Sequence, residues 1–116
     1  MAEGAFQTKA IAHIRSRGGY VVNQWGSPLA RAGVPDLLCG FRGFFVAFEL
    51  KHPEGPLDPG PLCRRNDRFA EPAQQRHIAR IREAGCIAFV VNNLRQVDAV
   101  LDMVEKYGTA DIAATR

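Results

Sequence analysis

Asp36, Glu49 and Lys51 are the residues of this chain whose types and spacing suit chemistry. They sit in residues 33–51, GVPDLLCGFRGFFVAFELK, where two apolar runs are separated by Gly40-Phe41-Arg42-Gly43. The pattern predicts a β-hairpin. With the turn centred on Arg42-Gly43, facing residues have numbers that sum to 85, as Asp36 and Glu49 do. Cross-strand partners share a sheet face, with Cβ atoms about 4.5–5.5 Å apart. Alternation puts Lys51 on the face of Glu49 and turns Phe48 and Leu50 to the other side. Two adjacent carboxylates repel, so the pair stabilises nothing unless a cation or a proton lies between them. A hard divalent metal with oxygen ligands suits the position, and Lys51 could orient or deprotonate a water there.

The elements that must position these groups follow from periodicity. Residues 3–17 predict an amphipathic helix, with Phe6, Ala10, Ile14 and Arg17 at helical spacing and Gly18-Gly19 ending it. Glu3 falls in its first turn, where its charge complements the helix dipole. Residues 20–25 predict a strand, and 26–33 a connection whose Arg31 either contacts a phosphate or does nothing beyond linking. Pro35 has no N–H, so the hairpin's first strand is either at an edge there or pairs only beyond it.

Residues 52–71, HPEGPLDPGPLCRRNDRFAE, hold four prolines, two glycines and no period, and predict a long loop. Its Arg64, Arg65 and Arg68 make it either a solvated loop or a phosphate-contacting flap. Residues 72–84 predict a helix with Pro72 in the first turn and Gly85 as the stop. Its Arg76, Arg80 and Arg82 form a solvated face or a DNA-facing stripe. Residues 86–91 predict a strand buried on both faces, and Leu94, Val97, Leu101 and Val104 step along a last helix ending near Gly108. Residues 109–116 are expected to fray. The apolar residues of the last helix suit a core or a dimer contact equally. The order αβββαβα predicts one α/β domain over residues 1–116, a central mixed sheet flanked by helices.

These residues carry a family resemblance. Pro35-Asp36 followed by Glu49-Leu50-Lys51 resembles the PD-(D/E)xK nuclease signature, which alone is short enough to arise by chance. The flanking pattern is similar to the small stand-alone VRR-NUC proteins of phages and bacteria: Glu3 and Gln7 on the opening helix, RGGYVV, SPLARAGVPDLL, GFFVAFELK, PAQQRHIARIREAG and IAFVVNN. The likeness runs from about Glu3 to Leu101. It implies a restriction-endonuclease-like fold and a Mg²⁺- or Mn²⁺-dependent endonuclease acting on branched or structured DNA, such as Holliday junctions or flaps, as a homodimer.

Carried over by position, it implies that Asp36, Glu49 and the Leu50 backbone carbonyl hold the metal. Glu3 would reach the metal directly or through water, and Lys51 would polarise the attacking water or steady the transition state. Gln74, eleven residues before Gly85, matches the family's helix glutamine better than Gln75 does. Arg31, Arg64, Arg65, Arg68 and Arg76 are the candidate DNA contacts. The connection over 52–71 is longer than the family's usual Gly-rich one. Other readings of the same fold are a restriction-like or RNA-cleaving nuclease, and a DNA-binding module without turnover.

Composition narrows the field. The chain has 116 residues, 47% hydrophobic and 23% charged, as an ordinary globular domain has. Three cysteines without a CxxC spacing imply neither a disulfide framework nor a zinc site. No apolar run is long enough to span a membrane and no signal-peptide pattern opens the chain, so a cytoplasmic setting is expected, bacterial or that of a phage host. The net charge of +3 leans slightly toward an anionic partner.

Overall fold

The structure is a computed structural model that describes residues 3–25, 32–58 and 64–115, with side chains for 4–25, 32–58 and 64–107. Helix α1 (Glu3–Ser16) leads into β1 (Tyr20–Asn23), β2 (Leu37–Phe41) and β3 (Phe44–Leu50). Helix α2 (Pro72–Glu83), β4 (Ile87–Val91) and α3 (Leu94–Thr115) follow. The four strands form one sheet in the order β1-β2-β3-β4, antiparallel except for the parallel β3–β4 pair. This is the αβββαβα order and the mixed sheet that the sequence predicts.

The hairpin register agrees with the sequence as well. Leu37 faces Phe48, Leu38 faces Ala47 and Phe41 faces Phe44, each pair summing to 85. Arg42 and Gly43 both have positive φ, 51° and 83°, the conformation of the two-residue turn whose twist matches the strands it joins. Pairing begins beyond Pro35, so β2 is an inner strand; the Asp36 carbonyl still accepts from the Gln24 amide at 2.7 Å.

The sheet separates two apolar layers. On one face Leu37, Cys39, Phe41, Val46, Phe48 and Leu50 pack against Phe6, Ala10 and Ile14 of α1 and Val97, Val100, Leu101 and Val104 of α3. The apolar stripe of α3 therefore lies in the core of its own chain. On the other face Leu38, Ala47, Ala88 and Val90 meet Ile78 and Ile81 of α2, with Leu57 and Ala70. Strand β3 is buried on both sides, whereas β4 is covered on both faces but stands at the sheet's edge.

Three local expectations need correcting. The segment 52–71 is not a loop throughout: Arg64–Phe69 form a 3₁₀ helix. Asn66 is buried there, its side-chain carbonyl accepting from the Asp58 amide at 2.7 Å and its amide donating to the Asp58 carbonyl at 3.1 Å. A six-residue helix with one buried polar anchor leaves no apolar period to read. Arg82 belongs to no solvated or DNA-facing stripe; it binds Asp67 of the 3₁₀ helix and donates to the Ala88 carbonyl at 2.8 Å. Helix α3 continues through Gly108 to Thr115, since a lone glycine without a following proline costs a helix only about 1 kcal/mol. Among the described residues no helix is long and apolar enough to cross a membrane.

Candidate active site

Asp36, at the mouth of β2, and Glu49 and Lys51, at the end of β3, meet on the sheet face that α2 covers. The Asp36 carboxylate accepts from the Leu50 amide at 2.8 Å, through Oδ2, which fixes the group across the hairpin's end. Glu49 is 2% exposed. Its Oε2 accepts from the Gln74 amide at 2.9 Å and lies 3.5 Å from Lys51 Nζ. Its Oε1 is buried and meets no hydrogen-bond donor among the described residues. Burial first, and then the neighbouring charge of Asp36, push the Glu49 carboxyl up to about 8, with Lys51 pulling the other way. A buried acid in this state takes a proton or a cation when one is offered.

Gln74 joins the two halves of the site. It stands in the first turn of α2, where its Oε1 accepts from the Glu71 amide at 2.7 Å and caps the helix. The same oxygen accepts from Lys51 Nζ at 3.1 Å, while its nitrogen holds Glu49. One amide thus orients an acid, an ammonium and a helix end. Gln75 instead donates to the Ala70 carbonyl at 2.9 Å and takes no part.

Gly33 brings the Asp36 loop against that first turn. Its φ is +85°, and a Cβ there would lie 2.8–2.9 Å from the backbone and Cβ of Ala73. No side chain fits such a contact.

The remaining candidates divide. The Glu3 backbone opens α1, but its side chain lies outside the described residues, as does all of Arg31. Arg65 pairs with Asp58 at 3.1 Å, and Arg68 lies over the Phe69 ring at 4.7 Å. Arg64 and Arg76 are exposed. None of these four is tied to the quartet of Asp36, Glu49, Lys51 and Gln74. Two features escaped the sequence reading: the capping role of Gln74 and the close approach at Gly33. The capping box pattern Glu71-Pro72-Ala73-Gln74 was the available signal for the first.

The donor set suits a small hard cation: two carboxylates, one with a buried oxygen that no donor reaches among the described residues. Among the described residues no group of three or more His, Cys, Asp or Glu side chains comes together, so the described side-chain ligands number two. Comparison of the chain with models of known families, with curated proteins and with solved structures finds no match.

Proposed function

We propose that this protein is a metal-dependent endonuclease that hydrolyses phosphodiester bonds in structured or branched DNA, with four-way junctions and flaps as the substrates to try first. The observation that carries the reading is the buried Glu49 carboxylate beside Asp36, one oxygen without a donor, with a lysine ammonium 3.5 Å from the other. A structural role for such a group is costly, because a buried charge destabilises a fold unless something compensates it. The motif resemblance supports the same reading.

In this proposal Asp36, Glu49 and the Leu50 carbonyl hold Mg²⁺ or Mn²⁺. Bound there, the ion supplies Lewis-acid polarisation and makes a water nucleophilic near neutral pH. The chain's own residues do the rest. Lys51, held between Gln74 and Glu49, keeps its ammonium where charge develops on the phosphate oxygens. Gln74 fixes both partners, so neither reorganises as the reaction proceeds. Asp36 is held in orientation by the Leu50 amide, from which its Oδ2 accepts. A two-fold dimer, part of the same proposal, would present two such sites to a symmetric junction.

The test is incubation with labelled four-way junction, flap, duplex and single-stranded DNA in Mg²⁺, Mn²⁺ or EDTA. Cleavage should require metal and fall at least about 100-fold in Asp36→Ala and Lys51→Ala, the scale of removing an electrostatic stabiliser. Absence of cleavage of every substrate would sink the proposal. Sedimentation velocity reads the oligomeric state.

A further inference from the structure

A cavity among the described residues lies away from the acids. It has a volume of about 630 Å³ and lies at the turn end of the hairpin, lined by Tyr20, Val22, Leu38, Gly40, Arg42 and Phe45 among others. In the sheet register Tyr20 faces Gly40 and Gly40 faces Phe45, so a tyrosine, a glycine and a phenylalanine stand in a row across three strands. Both aromatic residues are exposed, by 74% and 40%. Between them Gly40 contributes no side chain. The result is a slot with two aromatic walls and a backbone floor.

Nothing inside the protein asks for glycine at that floor. Gly40 lies within β2 and is not among the glycines of positive φ. Among the described residues a Cβ there would meet only the Tyr20 Cβ, at an ordinary 4.0 Å. A glycine in the middle of a strand weakens it and commonly marks a place where a ligand comes close. Two strand spacings set the Tyr20 and Phe45 backbones about 9–10 Å apart, room for one planar ring between the side chains. The volume is that of a small-ligand site, not of a protein–protein face.

The slot lies on the same sheet face as the acids. Residues 45, 47 and 49 of β3 alternate onto it, so Phe45 is about 13 Å along the strand from Glu49. Ala47, between them, is buried under α2, so an extended polymer held at the acids reaches the slot along β2, where Asp36, Leu38 and Gly40 alternate onto the same face and Leu38 lines the cavity. We infer that the Tyr20–Gly40–Phe45 slot binds an unpaired base of the DNA strand by stacking. Resting on the nuclease reading, this gives the enzyme a physical preference for flaps, junctions with open arms and single strands over fully paired duplex.

The probe is single-stranded, flap and blunt duplex DNA carrying the fluorescent base 2-aminopurine, titrated with full-length protein in EDTA. Wild type should quench the probe in the single-stranded and flap forms and not in the duplex. Gly40→Val fills the slot with a good strand former, so it should fold with undiminished thermal stability and bind about tenfold more weakly. Phe45→Ala and Tyr20→Ala, at exposed positions, should weaken binding similarly. Unchanged affinity in a folded Gly40→Val protein, or no quenching by wild type, overturns the inference. So does a wild-type dimer that Gly40→Val converts to monomer, which would make the slot a contact between copies. Slot-dependent binding without metal-dependent cleavage keeps the slot and removes the hydrolysis. Cleavage that depends on Asp36 but ignores Gly40→Val does the reverse.

Discussion

Glu49 is where stability and the proposed chemistry pull apart. A group whose folded pKa is raised favours the fold in its protonated form. Its contribution is fully present below the unfolded value near 4.5 and is lost as pH rises through the folded value of about 8. Without metal, the protein should therefore lose stability across that interval. Metal binding selects the carboxylate, so Mn²⁺ affinity should rise with pH over the same window, by up to about tenfold per unit for one displaced proton. Glu49→Gln removes the charge and keeps the shape. Metal-free at pH 8 it should unfold at a higher temperature, a gain on the order of 1 kcal/mol, while Mn²⁺ binding by calorimetry disappears. A variant less stable than wild type at pH 8 would mean that the carboxylate is already compensated. At this scale the sequence was largely legible, because the period of a strand is two and one turn fixes every partner. Gln74 could be placed by position but not by contact, since the helix surface shows two glutamines and three arginines alike. Arg82 was misread because its partners, Asp67 and the Ala88 carbonyl, come from elements whose approach no local pattern encodes.

The elements owe their placement to a few contacts that a periodicity argument does not reach. Gly33 and Gly85 make a natural pair for testing this. Both have φ of +85°, so alanine strains the backbone equally at either. Among the described residues nothing lies within 4 Å of a Cβ added at Gly85, whereas at Gly33 it meets the backbone of Ala73, one residue before Gln74. Both alanine variants should lose about 1–2 kcal/mol of stability from the strained φ, measured by urea unfolding. Only Gly33→Ala should also move the first turn of α2. The Gln74 side-chain amide, followed by NMR, should shift toward its free position in Gly33→Ala and stay in Gly85→Ala. Equal spectra would show that the loop, not the helix, yields. Glycine was visible in the sequence at both positions; that one of them touches a helix was not. The same limit hid the 3₁₀ helix at Arg64–Phe69, which is ordered by contacts made by Asn66, Asp67 and Ala70 rather than by any repeat.

Across the whole molecule, the chain leaving the site is tied to the end of the edge strand β4. After Lys51, whose amide donates to the Val91 carbonyl at 2.9 Å, residues 52–58 cross beside the β4–α3 junction. Asn92, buried there, donates to the His52 carbonyl at 3.2 Å. Gln96, 2% exposed, accepts from the Asn92 amide at 2.7 Å and donates to the Asp58 carbonyl at 2.9 Å. Asp58 is in turn held by Asn66 of the 3₁₀ helix. A Pro-rich segment that composition reads as loose is thereby fixed to β4, α3 and the 3₁₀ helix through backbone groups, by amides in addition to the burial of Leu57 and Ala70. Hydropathy patterns carry no trace of such a tie, because Asn and Gln look like surface residues until their neighbours are known. Gln96→Ala removes the tie at its centre and leaves the buried Asn92 amide without its acceptor, a loss of about 1–3 kcal/mol. The cost should appear as a lower midpoint in urea with an unchanged slope, because the unit that unfolds is still the whole domain. Native-state proteolysis should at the same time cut first within residues 52–58, well below the unfolding midpoint, since that segment would then open on its own. If cutting begins elsewhere, or keeps pace with global unfolding, the segment is held by its own apolar contacts at Leu57 and Ala70 and the amide tie is secondary.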